Sequence, residues 1–317
     1  MLEKIKLLGI VPVVKIDDAE KAVPLAQALC RGGLPCAEIT FRTDAAEDAI
    51  TRIAAAMPDM LVGAGTVLTP EQADKAQAAG AKFVVSPGFN PKVVDHCIAK
   101  GIPIFPGCSN PSDIEQALER GLSCVKFFPA EQAGGIAAVK AMAAPYSGVS
   151  FLPTGGINAK NLNDYLSFDR VVACGGSWMV DSALIDAGDF AAIEELTRTA
   201  VHTMLGFELG HVGINANNEA EAEKIATPFA DMFGFAYKPG NSSIFTGSYI
   251  EVMKTPYLGA SGHIAIRTNY IERAVNFLQT SGVKFKEDTK KYDAKGKFVA
   301  IYLDCEIGGF AVHLVQK

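Results

Sequence analysis

The amino-acid sequence predicts an α/β protein in which a (β/α)8 barrel is followed by a small α+β domain of two βαβββ modules. Up to residue 205, short apolar runs alternate with Ala-rich segments of helical period, and the runs recur roughly every 20 to 27 residues. Eight such units are typical of a closed parallel barrel. Beyond His211, two segments begin and end alike, which indicates an internal duplication. We therefore expect one domain at residues 1–205 and a second at 208–317.

Each candidate strand of the barrel is an apolar run that ends beside polar or glycine residues. An open doubly wound sheet is the competing topology, but it does not normally need eight nearly equal units. The predicted strands are Gly9–Val14, Pro35–Phe41, Met60–Gly65, Phe83–Ser86, Ile102–Phe105, Cys124–Phe128, Ser150–Thr154 and Val171–Cys174.

The helices between these strands carry start and stop signals. In the segment 69–80, Thr69 is a candidate N-cap, Pro70 occupies the first turn and Gly80 ends the helix. Ser112 and Glu115 have the spacing of a capping box just after Pro111, which predicts a helix start there.

The two C-terminal modules share one plan. Each opens with a strand that begins with histidine, continues through a helix and closes with a strand of alternating polarity. The first uses His211–Ile214, Glu219–Phe233 and Tyr249–Met253, and the second uses His263–Ile266, Ile271–Ser281 and Ala311–Val315.

Composition excludes several classes of function. With 49% hydrophobic residues, the 317-residue chain has material for a large core, and its net charge of -6 is dispersed without a basic stripe for nucleic acid. The N-terminus lacks a cleavage site, and Lys15 and Asp17 interrupt its apolar run, so we expect a cytoplasmic protein with no membrane partner. Seven cysteines without a CxxC pair predict reduced, buried thiols.

Lys126 lies inside the apolar run Cys124–Phe128, where strand alternation places its side chain inside the barrel. Burial beside aromatic side chains is costly for the charged form of a lysine, so a lysine at this position suggests a chemical role. An uncharged lysine attacks a ketone, and the resulting protonated imine accepts electrons during carbon–carbon cleavage. The alternative is an edge lysine whose charged end reaches solvent.

Glu38, Thr40 and Arg42 share one side of the second strand. Arg42 suits a bidentate grip on a substrate carboxylate, and Glu38 suits proton transfer. A structural Glu38–Arg42 ion pair is the alternative, although it does not account for a lysine in the same barrel.

The seventh and eighth strands each end in a Gly-Gly turn, within Thr154–Asn158 and Cys174–Ser177. Backbone amides in such turns converge on anions, and these two loops are where barrels commonly bind phosphate. Glycine pairs also occur simply because a turn needs positive φ.

Together these residues resemble the class I pyruvate aldolases that act on 2-keto-3-deoxy-6-phosphogluconate and 4-hydroxy-2-oxoglutarate on a TIM barrel. The resemblance covers about residues 1–205. The matching motifs are Gly9–Val13, Glu38–Arg42, Gly63–Val67, Ser86–Gly88, Pro106–Cys108, Val125–Ala130, Pro153–Ile157 and Gly175–Trp178.

The resemblance implies a lyase of Entner–Doudoroff carbohydrate metabolism that needs no cofactor, takes a small keto acid and assembles as a homotrimer or higher homo-oligomer. It implies that Lys126 forms the Schiff base, that Glu38 is the general acid/base and that Arg42 with Thr66 holds the carboxylate. It further implies Pro87 and Phe128 in the pocket and Gly155, Gly156 and Ser177 at the phosphate. Thr154 and Gly176, in the same two turns, are further predicted substrate contacts.

In the second domain, His211 and His263 open the two modules, while Glu251 and His313 lie in the closing strands. This arrangement resembles the vicinal-oxygen-chelate (glyoxalase/bleomycin-resistance) superfamily over about residues 208–317, which implies a divalent metal between the modules. Three imidazoles and one carboxylate suit Zn, Ni, Fe or Mn. The alternative is a metal-free domain in which the histidines are simply polar residues at the ends of strands.

The hypothesis is thus an aldolase that releases pyruvate, fused to a vicinal-oxygen-chelate domain. The rival enzyme is a phosphate-binding-barrel isomerase that uses Glu38 as a base without a covalent step. The rival from another class is a metal- or metabolite-binding protein that acts through its C-terminal domain.

Overall fold

The computed structural model describes residues 1–317, which divide into two compact units, Met1–Met204 and Leu205–Lys317. None of its helices combines the length and the apolar character needed to cross a membrane.

In the first unit, parallel strands alternate with helices. The strands are β1 (Ile10–Val14), β2 (Cys36–Thr40), β3 (Leu61–Gly65), β4 (Val84–Val85), β5 (Ile104–Phe105), β6 (Cys124–Phe127), β7 (Ser150–Pro153) and β8 (Cys174–Gly176). The helices are α1 (Leu2–Leu8), α2 (Ala22–Arg31), α3 (Ala46–Ala56), α4 (Pro70–Ala78), α5 (Pro91–Ala99), α6 (Pro111–Glu119), α7 (Gly135–Ala143), α8 (Leu162–Leu166), α9 (Ser182–Ala187) and α10 (Phe190–Leu205), with a 3₁₀ turn at Ala19–Lys21.

The parallel sheet curls until its strands meet. Six strands pair in the order β5-β4-β3-β2-β1-β8, and β6 pairs with β7. Single bridges, Gly107 to Lys126 and Thr154 to Gly175, connect these two sets. Each strand therefore neighbours the next one in chain order, and β8 returns to β1.

The core of this curled sheet lies towards the amino ends of its strands. Its buried members lie in successive strands or just before them, together with Ile5 of α1, a helix that the sequence analysis did not predict. Alternation then places Glu38 on the same face as Cys36, and Lys126 on the same face as Cys124, one layer closer to the carboxyl ends. The core consists of Ile5, Val11, Cys36, Leu61, Phe83, Val85, Phe105, Cys124, Leu152, Val172 and Ala173.

Two local predictions are corrected by backbone hydrogen bonding. Helix α6 is capped by Asn110, which accepts from the Asp113 amide, so the predicted capping box at Ser112 is wrong because Pro111 already starts the helix. The last strand was predicted at Val171–Cys174 but runs over Cys174–Gly176, because the two glycines pair with β1 whereas Val171 makes only one bridge.

The second unit contains one eight-stranded sheet in the order β10-β11-β12-β9-β13-β16-β15-β14. Strand β9 pairs antiparallel with β13 at its centre. The elements are β9 (Glu208–Asn215), α11 (Glu219–Phe233), β10 (Tyr237–Pro239), β11 (Ser243–Thr246), β12 (Ile250–Met253), β13 (Gly262–Thr268), α12 (Ile271–Thr280), β14 (Phe285–Tyr292), β15 (Phe298–Ile307) and β16 (Phe310–Gln316).

All seven cysteines are free, and five are buried. Burial raises the pKa of the Cys97 thiol to about 11 and that of Cys108 to about 12. The prediction of buried thiols fails for Cys30, which is half-buried, and for Cys305, which is exposed on β15.

Candidate functional site

The centre of the first unit's candidate site is a buried pair of opposite charge. Lys126 Nζ donates to Glu38 Oε1 at 3.4 Å, and the two residues are only 5% and 0% exposed. A lysine that reached solvent at a strand edge would be far more exposed, so the alternative of an edge lysine is wrong.

Lys126 is held by its backbone and shielded by an aromatic ring. Its amide donates to the Pro106 carbonyl at 2.9 Å, and its carbonyl accepts from the Cys108 amide at 2.8 Å. The ring of Phe128 has its centroid 5.2 Å from Nζ. These bonds fix the backbone at Lys126, and Phe128 lies beside its ammonium group.

Glu38 occupies space that its neighbours leave open. A Cβ on Gly65 would lie 2.2 Å from Glu38 Oε1, so a side chain at position 65 would displace the carboxylate. Its other oxygen, Oε2, is buried and has no hydrogen-bond partner. A buried acceptor without a partner destabilises a protein core, but it is suited to accepting and returning a proton.

Arg42 lies just beyond the end of β2 and is exposed. Its Nε donates to Thr40 Oγ1 at 3.1 Å, and that hydroxyl donates to the Val14 carbonyl at 2.8 Å. Glu38 pairs with Lys126 instead, so the alternative of a Glu38–Arg42 ion pair is wrong. The guanidinium remains available to an incoming anion.

Thr66 and Pro87 follow strands β3 and β4 at the same edge of the sheet. Thr66 has φ 56°, a left-handed conformation that is unfavourable for a β-branched residue. Strain of this kind is common where a binding site fixes the backbone. Pro87 is half-buried.

The two glycine turns are neighbours. Thr154 bridges to Gly175, and a Cβ on Gly175 would lie 2.3 Å from Thr154 Oγ1, a buried hydroxyl without a partner. Gly155 and Gly156 have φ of 101° and 80°, which explains why glycine occupies both positions. Gly176 is buried beneath the Trp178 ring, and Ser177 is exposed at the turn.

Sequence reasoning missed a side-chain pair beneath this turn. Tyr165 on α8 is 1% exposed, and its hydroxyl donates to Glu131 Oε1. Burial and this contact raise the pKa of Tyr165. The Glu131 amide also donates to the Gly155 carbonyl at 3.1 Å, so the pair fixes the loop after Phe128 against the glycine turn. No sequence motif marks a contact between residues 34 positions apart.

In the second unit, the four predicted metal ligands come together. Nε2 of His211 lies 3.2 Å from Nε2 of His263, and both nitrogens lie 3.1 Å from Glu251 Oε2. The ring nitrogens of His211, His263 and His313 that could hold a metal ion all lie within 4.8 Å of one another.

Strand register explains the convergence. Glu251 on β12 and His263 on β13 both lie opposite Gly213 of β9, and a Cβ at Gly213 would lie 2.0 Å from the His263 ring. One step along the sheet, His211 and His313 both lie opposite Ala265, which is small. Small residues between these four side chains thus leave room for them to meet.

Two further side chains, which sequence reasoning also missed, hold this cluster. Ser243 Oγ donates to Glu251 Oε1 at 2.6 Å, and Tyr302 stacks on His313 with ring centroids 4.5 Å apart. Both contacts follow from strand pairing, because Tyr302 lies opposite His313 and Ser243 lies on the strand next to Glu251. No pattern within either strand predicts them.

The cluster has unusual electrostatics. Burial acts to raise the pKa of Glu251, but contacts with His211, His263 and Ser243 outweigh it and hold that pKa below its ordinary value. Burial, with the neighbouring histidines, lowers the pKa of His313 to about 3. Neither ring nitrogen of His313 has a hydrogen-bond partner.

Comparison with known proteins identifies relatives of the first unit. Residues 1–196 match the family described as "Aldolase: KDPG and KHG aldolase". The chain is 54% identical over 198 residues to the 2-dehydro-3-deoxy-phosphogluconate aldolase of Treponema pallidum, covering 62% of this chain and 94% of the relative. It is 44% identical over 192 residues to the KHG/KDPG aldolase of Escherichia coli, covering 61% and 90%.

A crystal structure of KDPG aldolase from Legionella pneumophila, with pyruvate captured as a covalent carbinolamine intermediate, is similar to this chain. Its TM-score is 0.61 at 38% identity, and the match covers 63% of this chain and 98% of that one.

Proposed function

This chain belongs to the KDPG and KHG aldolase family, and from that membership and its buried Lys126–Glu38 pair we propose the reaction that it catalyses. It is a class I aldolase that cleaves 2-dehydro-3-deoxy-6-phosphogluconate to pyruvate and glyceraldehyde 3-phosphate. It also cleaves 4-hydroxy-2-oxoglutarate to pyruvate and glyoxylate. The observation that carries the proposal is the 3.4 Å contact between Lys126 Nζ and Glu38 Oε1 inside the curled sheet.

Lys126 Nζ attacks the C2 ketone of the substrate, and loss of water gives a protonated imine. Glu38 takes the proton of the C4 hydroxyl, the C3–C4 bond breaks, and its electron pair moves into the imine to give an enamine. The aldehyde leaves, C3 is protonated, and water releases pyruvate. The unpartnered Oε2 of Glu38 provides an oxygen for these proton transfers.

The rest of the site supports binding of an anionic substrate at both ends. Arg42 with Thr66 holds the pyruvyl carboxylate, and Pro87 and Phe128 line the pocket between. At the other end, Thr154, Gly155, Gly156, Gly176 and Ser177 receive the phosphate. Support comes from the exposed guanidinium of Arg42 and from the adjacency of the two glycine turns.

A steady-state assay that couples pyruvate to NADH oxidation tests the proposal. Both substrates should give pyruvate, and deletion of residues 208–317 should leave that activity in place. Conversion of the phosphorylated substrate without pyruvate release would favour the isomerase, which uses Glu38 without an imine. Absence of turnover in a folded chain would favour a protein that acts through its second unit.

We also propose that the second unit is a vicinal-oxygen-chelate domain built from two βαβββ modules. In each half of the unit, a strand and a helix are followed by three strands, and the first strand pairs in parallel with the last. The two halves meet through β9 and β13. Two copies of one module, packed around a shared centre, account for this order of strands and helices.

The same unit is proposed to hold one divalent metal, with Zn, Ni, Fe and Mn as candidates, through His211, Glu251, His263 and His313. An imidazole Nε2 carries either one proton or one lone pair. Two such nitrogens and one carboxylate oxygen, all 3.1–3.2 Å apart, therefore cannot satisfy every contact by hydrogen bonds alone. Donors around a tetrahedral zinc lie about 3.3 Å apart, which fits these distances.

A metal in this position would act as a Lewis acid towards a bound oxygen ligand. Metal analysis of the purified chain after dialysis tests the site. One equivalent of metal in the wild-type chain, and none in His263→Ala, is the expected result.

We further propose that the protein is a homotrimer through its first unit, as the resemblance implies. Light scattering on the full chain and on residues 1–205 should give three times the mass of each chain. A monomer in both samples would contradict the assembly but not the chemistry.

A further inference from the structure

The donor set of the second unit leaves a divalent ion with excess positive charge. Three neutral imidazoles and the Glu251 carboxylate give a net charge of +1 with such an ion, and Ser243, which holds the carboxylate, adds none. Because the site is mostly buried, that charge is weakly screened. The centre therefore favours an anionic ligand over a neutral one.

Two lysines lie on the same sheet face as this centre. In one row across the sheet, His313 lies opposite Tyr302, and Tyr302 lies opposite Lys286, two strand spacings or about 10 Å from His313. In the next row, Lys291 lies opposite Ala300. Neither lysine forms a salt bridge, whereas the adjacent Lys290 pairs with Glu287.

Strand β14, which carries both lysines, is irregular between them. Its register with β15 shifts between Lys286 and Lys291, and Thr289 in the bulge accepts from the Tyr302 amide at 3.0 Å. Bulges of this kind re-aim side chains and are common beside binding sites. Here the bulge brings Lys291 back to the sheet face that carries Tyr302 and His313.

The cluster is not fully closed to solvent. The side chains of His211 and Glu251 are 14% and 15% exposed, whereas that of His263 is 2% exposed. Aromatic rings border it, with Phe245 5.4 Å from His211 and Tyr302 5.8 Å from Tyr257. Such walls suit a small, planar ligand.

We propose that this centre binds a small 2-oxo carboxylate, with the ligand oxygens on the metal and its charge facing Lys286 and Lys291. The inference rests on the proposed metal site and goes beyond it by naming the ligand class. Pyruvate is a member of this class and is the common product of both aldol cleavages. The second unit is thus a product-binding unit fused to the enzyme that makes the product.

The test uses full-length Lys126→Ala protein, which cannot form the imine, loaded with one equivalent of Co(II). The visible absorption of Co(II) reports its coordination, and pyruvate is the probe. We expect a saturable spectral change with pyruvate and none with acetone, which lacks the carboxylate. Lys291→Met and Lys286→Met should each weaken pyruvate binding up to about 5-fold, the scale of a partly exposed charge pair.

Lys295→Met is the matched control, because Lys295 lies in the exposed turn after β14 and should leave binding unchanged. If the Co(II)-loaded chain shows no spectral change with pyruvate, the proposed ligand is wrong although the metal site is confirmed. A chain that does not bind Co(II) at all would overturn the metal site itself. Equal responses to pyruvate and acetone would also contradict the proposed recognition of the carboxylate.

Discussion

The two units each bury a carboxylate, and they satisfy it in different ways. Glu38 has one oxygen 3.4 Å from Lys126 and one oxygen with no partner. Glu251 has both oxygens occupied, one by Ser243 and the other by His211 and His263. A carboxylate with a spare oxygen is suited to moving protons. One that is saturated by donors, with its pKa lowered, is suited to holding a cation in place.

The contrast extends to the residue beside each carboxylate. In the first unit the partner is the amine of Lys126, for which we propose covalent chemistry. In the second unit the partners are imidazoles, which are metal ligands at neutral pH. We therefore expect the two sites to respond to different substitutions.

Removal of the amine should have the largest effect. Lys126→Ala should show no measurable pyruvate release from either substrate, because no other lysine approaches Glu38. The coupled steady-state assay measures this, and unchanged metal content verifies that the second unit is intact. Residual turnover within tenfold of wild type would break the assignment of the nucleophile.

Substitution of Glu38, the proposed proton carrier, should have the next largest effect. Glu38→Gln keeps the shape of the side chain and should lower kcat roughly 10²- to 10⁴-fold, the usual contribution of a general acid/base. The imine should still form with pyruvate and be trapped by borohydride. An unchanged kcat would mean that another group carries the proton.

A substitution in the second unit should abolish metal binding without affecting aldolase turnover. His263→Ala should lose the metal and lower the melting temperature of the metal-loaded chain, because bound metal stabilises only the folded state. Its kcat for pyruvate release should stay within about twofold of wild type, because every residue to which the aldol chemistry is assigned belongs to the first unit. His96→Ala, which removes a surface contact with Asp74, is the control and should retain the metal.

The smallest effect on kinetics is expected for substitution of Tyr165, whose hydroxyl lies beneath the glycine turn. Tyr165→Phe removes the hydroxyl that holds Glu131 and should raise KM for the phosphorylated substrate about 5-fold, the scale of one hydrogen bond of about 1 kcal/mol. KM for 4-hydroxy-2-oxoglutarate, which has no phosphate, should not change. Equal rises for both substrates would assign a purely structural role to the pair.

The sequence predicts much of the first unit because its signals are local. Strand alternation alone places Glu38 and Lys126 inside the curled sheet, and the order of apolar runs predicts its parallel strands. The eighth strand was misplaced because Gly175 and Gly176 give no apolar signal, although both pair with β1. Helix α1 was missed because it is short and its apolar residues run on into β1.

Contacts between distant segments do not follow from periodicity alone. Periodicity locates His211, Glu251, His263 and His313 on their strands, and only the internal duplication and the resemblance predicted that they meet, through pairing across the sheet. The same reason explains why Ser243 was missed, since its register with β12 is set by the whole sheet. For Arg42 the local pattern was applied too far. Alternation placed it on the same side of the strand as Glu38, whereas β2 ends at Thr40.

The most direct test of the central claim is the intact mass of the chain after borohydride reduction in the presence of pyruvate. We expect a single pyruvate-derived adduct in the wild-type chain, located at Lys126 by peptide mapping and absent from Lys126→Ala. A folded wild-type chain that releases pyruvate from its substrate without giving this adduct would contradict the imine mechanism.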